Sequence, residues 1–337
     1  MLSRVFHQWE RRLAAATTDR VVRPFEWGAD WLHDSSSEGS EADRLEHWAA
    51  AMLAESDRLY ALDPIDDYTL SGDRLSFPSA IRTPHPENNV ARARFFPSQT
   101  PRGRTRAVVV LPQWNAGADG HVGLCQLLNR FGISALRLTL PYHEERRPPE
   151  LHRADYIVSS NIGRTMQVCR QAVLDARRAI DWLDAQGFDR IGILGTSLGS
   201  CLAMLTTAHE PRIRAAALNH VSPWFADVTW RGLSTRHVRA GLEGHVTLDE
   251  LRQLWRPISP WAHLHRSWPA HSLLVYARYD LTFPVDLSQM LVREYGARRI
   301  AHDVAVLPCG HYSSGMAPFK FLDAFLLIRY LRRQLLA

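Results

Sequence analysis

The sequence predicts an α/β protein: a mostly parallel central sheet flanked by helices, with a helical cap insertion. Three observations predict it. From about residue 70 onward, short apolar runs of strand length alternate with segments whose apolar residues recur at three- and four-residue spacing, as a parallel sheet with crossover helices requires. The strand-length runs are predominantly apolar, which suits strands covered on both faces. The alternation breaks only over 223–269, a Trp-bearing and partly helical stretch too long for an ordinary connection.

The elements follow in order. Residues 1–69 form an N-terminal helical accessory segment, amphipathic and interrupted by the polar run Asp34 to Ser40, which carries too little apolar surface to order strongly. Its aromatic residues Phe6, Trp9, Phe25, Trp27, Trp31 and Trp48 have three uses open to them: packing on the main domain, forming a lid or making an oligomer contact. The main domain spans 70–337. Runs 74–81 and 90–96 read as an opening hairpin, and 107–111, 135–140, 190–194, 215–219, 273–277 and 303–307 as short buried strands. Helices are expected over 121–130, 165–185, 200–208, 284–295 and 318–335. The cap is assigned to 223–269, and no internal repeat is visible.

Composition excludes several classes. With 46% hydrophobic and 22% charged residues in 337, the chain has the makeup of an ordinary globular protein rather than a disordered or collagen-like one. The net charge of +5 rests almost wholly on Arg, since Lys320 is the only Lys, and the basic residues are interleaved with acidic ones as in Glu144, Glu145, Arg146 and Arg147. A phosphate-binding stripe needs clustering, so no nucleic-acid partner is expected. Cys125, Cys169, Cys201 and Cys309 lie far apart with no CxxC spacing, and the N-terminus lacks the unbroken apolar core of a secretory signal. Reduced thiols, a cytoplasmic location and no stable membrane insertion are the expectations. His263 and His265 flank Leu264 without a Cys, Asp or Glu at ligand spacing and read as solvated, so no metal is predicted. No G-x-G-x-x-G or P-loop pattern occurs, so no cofactor is predicted either.

The chemistry-bearing stretch is Gly195, Thr196, Ser197, Leu198 and Gly199, a G-x-S-x-G directly after the apolar run 190–194 and before a small-residue helix start. A sharp strand-to-helix turn pushes the hydroxyl outward, and flanking glycines leave room for neighbouring backbone. The helix that follows aims its free N–H groups at negative charge developing on a bound carbonyl oxygen. A serine still needs a base, and the base a third group that fixes its tautomer. Downstream, the run 271–277 leads into Arg278, Tyr279 and Asp280, and the run 303–307 leads into Gly310 and His311, so both side chains emerge at the same sheet edge. Asp286 is a rival acid, but it follows Pro284 at a helix start, where a carboxylate serves the helix dipole.

Strand-turn-helix carrying G-T-S-L-G, then A-R-Y-D-L-T-F-P, then G-H, in the order Ser, Asp, His, resembles the α/β-hydrolase superfamily over roughly residues 70–335. The resemblance implies the α/β-hydrolase fold, with Ser197 as nucleophile, Asp280 as orienting acid and His311 as base. It also implies an oxyanion hole from the backbone N–H groups of Leu198 and of a residue after an early strand. Here Pro112, Gln113, Trp114 and Asn115 follow that strand, so Trp114 is the second candidate, and Gln113 stands where the family carries Gly. Gln113 is also a substrate-binding candidate, with a loop-stabilising role equally open. Tyr142 and His143 emerge at the same edge as substrate contacts or loop residues, and Trp224 belongs to an aromatic cap that either lines a hydrophobic pocket or forms its own small core. The expected function is a serine esterase acting on a small-molecule ester or related acyl substrate through an acyl-enzyme. A peptidase or acyltransferase on the same triad and a non-catalytic binding protein are the alternatives. Acyl-chain preference and oligomeric state are not encoded in these motifs.

Overall fold

The computed structural model describes residues 2–32, 38–100, 105–266 and 270–336. The chain opens with helices α1 (Leu2–Ala15), α2 (Glu41–Ala54) and α3 (Ser56–Leu59). Strands β1 (Thr69–Ser71), β2 (Arg74–Pro78) and β3 (Val90–Phe96) then form an antiparallel ribbon, one strand wider than the expected hairpin. The repeating unit follows: β4 (Arg106–Leu111), α4 (Val122–Arg130), β5 (Ser134–Thr139), α5 (Ile162–Ala185), β6 (Arg190–Thr196), α6 (Leu198–His209) and β7 (Ile213–Asn219). A helical insertion, α7 (Phe225–Arg231), α8 (Arg236–Leu242) and α9 (Leu248–Leu254), precedes β8 (His271–Ala277), α10 (Val285–Ala297), β9 (His302–Leu307) and α11 (Phe319–Leu336).

These strands make one nine-stranded sheet in the order β1-β2-β3-β5-β4-β6-β7-β8-β9. The strands from β4 to β9 run parallel, and β3 joins β5 antiparallel. Burial explains the arrangement. Every residue of β5 is buried, as are all but the first of β4, because helices cover both faces of the central strands. On one face α5 and α6 pack over the sheet, and α6 is buried along its whole length, which fits a helix apolar on all sides. On the other, α4 and α11 close a second core around Val108, Val110, Leu194, Leu327 and Leu331.

Two boundaries shift from expectation for local reasons. The helix expected from 165 begins at Ile162, because the Asn161 side chain accepts the Arg164 N–H at 2.8 Å and caps it. Strand β6 runs on to Thr196, paired with Asn219, so it reaches the residue before Ser197 and α6 begins at Leu198. Part of the polar run 34–40 lies outside the described residues, whereas Ser40 forms a capping box with Asp43 at the start of α2. Trp268 also lies outside them. His263, expected to be solvated, is instead 1% exposed, with Nδ1 at 3.2 Å from His209 Nε2 and Nε2 donating to the Pro257 carbonyl. All four cysteines are free and buried, and among the described residues no helix is long and apolar enough to cross a membrane.

A buried ion pair ties the ribbon to the parallel core. Arg146 and Asp175 are both fully enclosed and meet at 2.8 Å. Arg146 also donates to the carbonyls of Thr139 and Asn88, while Asp175 accepts from Ser79 Oγ and the Ala80 N–H. Removing one partner strands the other charge without water. Asp175→Ala is therefore expected to lower unfolding stability by about 3–5 kcal/mol in a urea titration, a loss that a surface carboxylate substitution such as Glu55→Ala does not reproduce.

Candidate active site

Ser197 lies at the turn between β6 and α6 with φ 57° and ψ −119°, a left-handed conformation that L residues hold only under constraint. The constraint is close packing. A Cβ on Gly195 would stand 2.1 Å from the Gly199 carbonyl oxygen, and one on Gly199 would stand 2.1 Å from that of Leu111. Both glycines are needed for approach of backbone to backbone, which seats the first turn of α6 directly against the end of β4. The Ser197 N–H donates to the Asn219 carbonyl at 2.8 Å, fixing the turn to β7.

Asp280 and His311 come to the same edge from the ends of β8 and β9. Ser197 Oγ lies 3.0 Å from His311 Nε2, and His311 Nδ1 donates to Asp280 Oδ2 at 2.9 Å. Asp280 Oδ1 accepts the N–H groups of Thr282 and Phe283, each at 2.7 Å. Burial alone would raise the Asp280 carboxyl, but the His311 charge and hydrogen bonds from His220 and His311 hold it well below the usual carboxylate range. Asp286 stands apart, forming an ion pair with Arg231 at 2.8 Å.

Ser197 and His311 open onto a cleft of about 900 Å³. Gln113 and Trp114 form one wall, and Leu124, Phe321 and Leu327 supply an apolar side. Behind Ser197, a small apolar recess of about 40 Å³ is bounded by Trp114, Leu198, Phe225, Val228 and Phe283. Trp114 and Leu198, the two oxyanion-hole candidates, therefore both flank Ser197. Leu198 opens α6, where a helix's first N–H groups have no acceptor within the helix.

Three expected substrate contacts sit elsewhere. Tyr142 is fully buried, with its hydroxyl 3.0 Å from His85 Nδ1 and its ring edge-on to Tyr156. His143 is also buried, and its Nε2 accepts the Asn115 N–H at 2.9 Å while Nδ1 donates to the Pro141 carbonyl. Burial, together with the charges of Arg146 and Arg137, depresses His143 to about 4. It is thus a neutral prop under the loop that carries Trp114. Trp224 stacks on Trp261 at 5.4 Å, and the cap side chains that reach the recess are Phe225 and Val228 instead. Tyr142 and His143 are enclosed by neighbouring loops, whereas Trp224 is half-buried against another residue of the insertion.

Two residues absent from the sequence reading belong to the site. Glu10 of α1 is fully buried, and its carboxylate accepts the N–H groups of Tyr312 and Ser313 and the Ser313 hydroxyl at 2.7–2.9 Å, gripping the loop that presents His311. No local pattern marks it, because its partners lie about three hundred residues away. His220, one position past β7, donates through Nδ1 to Asp280 Oδ2 at 2.9 Å. Its signal was available: it follows a parallel strand at the edge where Ser197, Asp280 and His311 also emerge. Among the described residues, His220, Asp280 and His311 are the one grouping of side chains close enough to share a metal ion, and they are already hydrogen-bonded to one another.

A sheet of this order, with a strained serine turn at a central strand, is an α/β-hydrolase fold. Residues 121–234 match the family described as "Alpha/beta hydrolase domain containing 18". No curated protein matches by sequence. In structure the chain is similar to Pyrococcus horikoshii acylaminoacyl peptidase, with a TM-score of 0.61 and 15% identity over 80% of this chain and 42% of that one. It therefore spans about two fifths of that peptidase's length. It is also similar to acetyl xylan esterase 1 from Thermoanaerobacterium sp., with a TM-score of 0.59 and 15% identity over 95% of this chain and 98% of that one.

Two measurements probe the surroundings of the site. Glu10→Ala leaves buried N–H groups without an acceptor and is expected to cost roughly 1–3 kcal/mol of stability in chemical denaturation, and to speed hydrogen exchange at Tyr312 and Ser313. Asp323, in the cleft wall, is raised by burial from 3.8 to about 6. Between those values the native carboxyl keeps a proton that the unfolded chain has lost, so stability falls as pH rises through that window. Asp323→Asn keeps an acceptor for the Asn219 amide and removes the titration, so its melting temperature relative to the unaltered chain should climb between pH 4 and pH 7.

Proposed function

We propose that the protein is a serine hydrolase that cleaves a carboxylic ester through an acyl-enzyme intermediate, with Ser197 as nucleophile, His311 as general base and Asp280 as the orienting acid. The observation that carries this reading is the unbroken run of hydrogen bonds from Ser197 Oγ through His311 to Asp280, set at the mouth of a cleft. His311 Nε2 takes the hydroxyl proton as Oγ attacks the carbonyl carbon, and the backbone N–H groups of Leu198 and Trp114 receive the oxyanion. His311 then returns the proton to the leaving oxygen, and a water activated by the same nitrogen releases the acyl group.

The apolar recess beside Leu198 supports an uncharged acyl group lodged there, with the leaving group directed into the wider cleft. Phe225 and Val228 bring the cap into that recess, so we place control of acyl size in the insertion. The first test is labelling with a fluorophosphonate, which reports an activated serine without requiring the natural substrate. The full chain should label, and Ser197→Ala and His311→Ala should lose labelling while retaining the same circular dichroism. A folded chain that never labels would overturn the reading. Turnover of p-nitrophenyl esters against peptide anilides then separates esterase from peptidase.

A further inference from the structure

Asp280 Oδ2 is shared. His311 Nδ1 and His220 Nδ1 each lie 2.9 Å from it. On its far side, His220 Nε2 stands 3.0 Å from Ser314 Oγ, and that hydroxyl lies 2.7 Å from the backbone carbonyl oxygen of His311. The hydrogens can be placed by elimination. Ser314 has one hydroxyl hydrogen, and a carbonyl can only accept, so the hydrogen goes to His311 O and Ser314 Oγ accepts from His220 Nε2–H. Asp280, ionised, likewise only accepts, so His220 Nδ1 also carries a hydrogen. A neutral imidazole has one N–H; in either tautomer it would set two acceptors face to face at 2.7 or 2.9 Å.

We propose that His220 is a positioning residue that holds Asp280 as an imidazolium, and that its charge sets how readily His311 gives up the proton it takes from Ser197. The proposal rests on the triad reading above for its effect on turnover, though not for the protonation state itself. His220 is 1% exposed, so a charge there needs anions beside it. Asp280 meets it from the turn after β8, Asp323 of α11 accepts from the adjacent Asn219 side chain at 2.8 Å, and the His311 ring is 4.2 Å away between centroids on the loop after β9. When His311 is protonated, two cations share one carboxylate. Repulsion from His220 therefore keeps His311 free to act as a base at lower pH and favours return of its proton to the leaving group.

The test uses the full chain with p-nitrophenyl acetate. His220→Gln keeps a donor for Asp280 but no charge. It is expected to move the acid limb of the kcat/KM profile upward by about one pH unit and, through the weakened charge-assisted bond, to lower plateau kcat roughly tenfold with KM nearly unchanged. Ser314→Ala, which touches neither Ser197 nor Asp280, should move the limb the same way by a smaller amount, and it carries the test if His220→Gln does not fold. Nitrogen-15 NMR of the histidine-labelled chain at pH 7.5 should show both His220 ring nitrogens protonated, with the signals assigned by their loss in His220→Gln or their displacement in Ser314→Ala. Acid limbs that coincide in the unaltered chain and both variants, or a neutral His220 ring, would overturn the proposal. A chain inert to ester and fluorophosphonate would sink the hydrolase reading alone, and the NMR arm would still decide the state of His220.

Discussion

Everything at the site depends on one close approach: the first turn of α6 against the carbonyl end of β4. With no side chain at Gly199, that turn can sit where a Cβ would come within 2.1 Å of the Leu111 oxygen. Ser197 is then forced into its left-handed conformation, because β6 must stop and α6 must start within one residue. The strain is maintained by the burial of α6 on all sides and by the Ser197 N–H bond to the end of β7. The same approach brings the loop after β4, with Trp114, alongside the start of α6. The serine turn and the loop beside it are thus products of one packing event rather than separate inventions.

The two partner side chains are held differently, by contacts from outside the sheet. Asp280 is fixed by the N–H groups of its own turn, while Tyr279 beside it stacks on Phe6 of α1 with ring centroids 4.5 Å apart. Helix α1 also grips the His311 loop through Glu10, and Arg20, just beyond it, donates to the Tyr312 hydroxyl at 2.7 Å. The N-terminal segment is accordingly part of the scaffold of the site. Of the uses left open by its aromatic composition, Phe6 takes up packing on the main body.

That contrast explains what the sequence could reveal. Ser197, Asp280 and His311 were legible because each follows a strand, and the order of strands in a parallel sheet carries their side chains to one edge. The parallel strands were legible too, as mostly apolar runs have few alternatives once helices separate them, whereas the three-residue, exposed β1 carries no such run. Glu10 was not legible, since a lone carboxylate on an amphipathic helix looks the same whether it faces solvent or a distant loop. Tyr142 and His143 show the limit of the edge argument: they too follow a strand, but Tyr142 has a positive φ that turns the chain inward, and both side chains prop neighbouring loops. Position at an edge identifies candidates, while backbone twist decides which way they face.

The histidines near the cleft divide into two electrostatic classes, and the division follows from what lies beside each ring. His121, His143 and His237 are depressed to about 4, by burial first in each; Arg137 adds to it at His121, while the Pro141 carbonyl opposes it at His143 and Asp155 at His237. They stay neutral and serve as props, His121 Nε2 beside the Thr196 hydroxyl and His237 stacked on Trp114. His220 and His311 instead converge on Asp280, a carboxylate whose burial would be costly without them. Neutral props thus surround one carboxylate shared by two histidines, and the charged contacts behind Ser197 gather on Asp280.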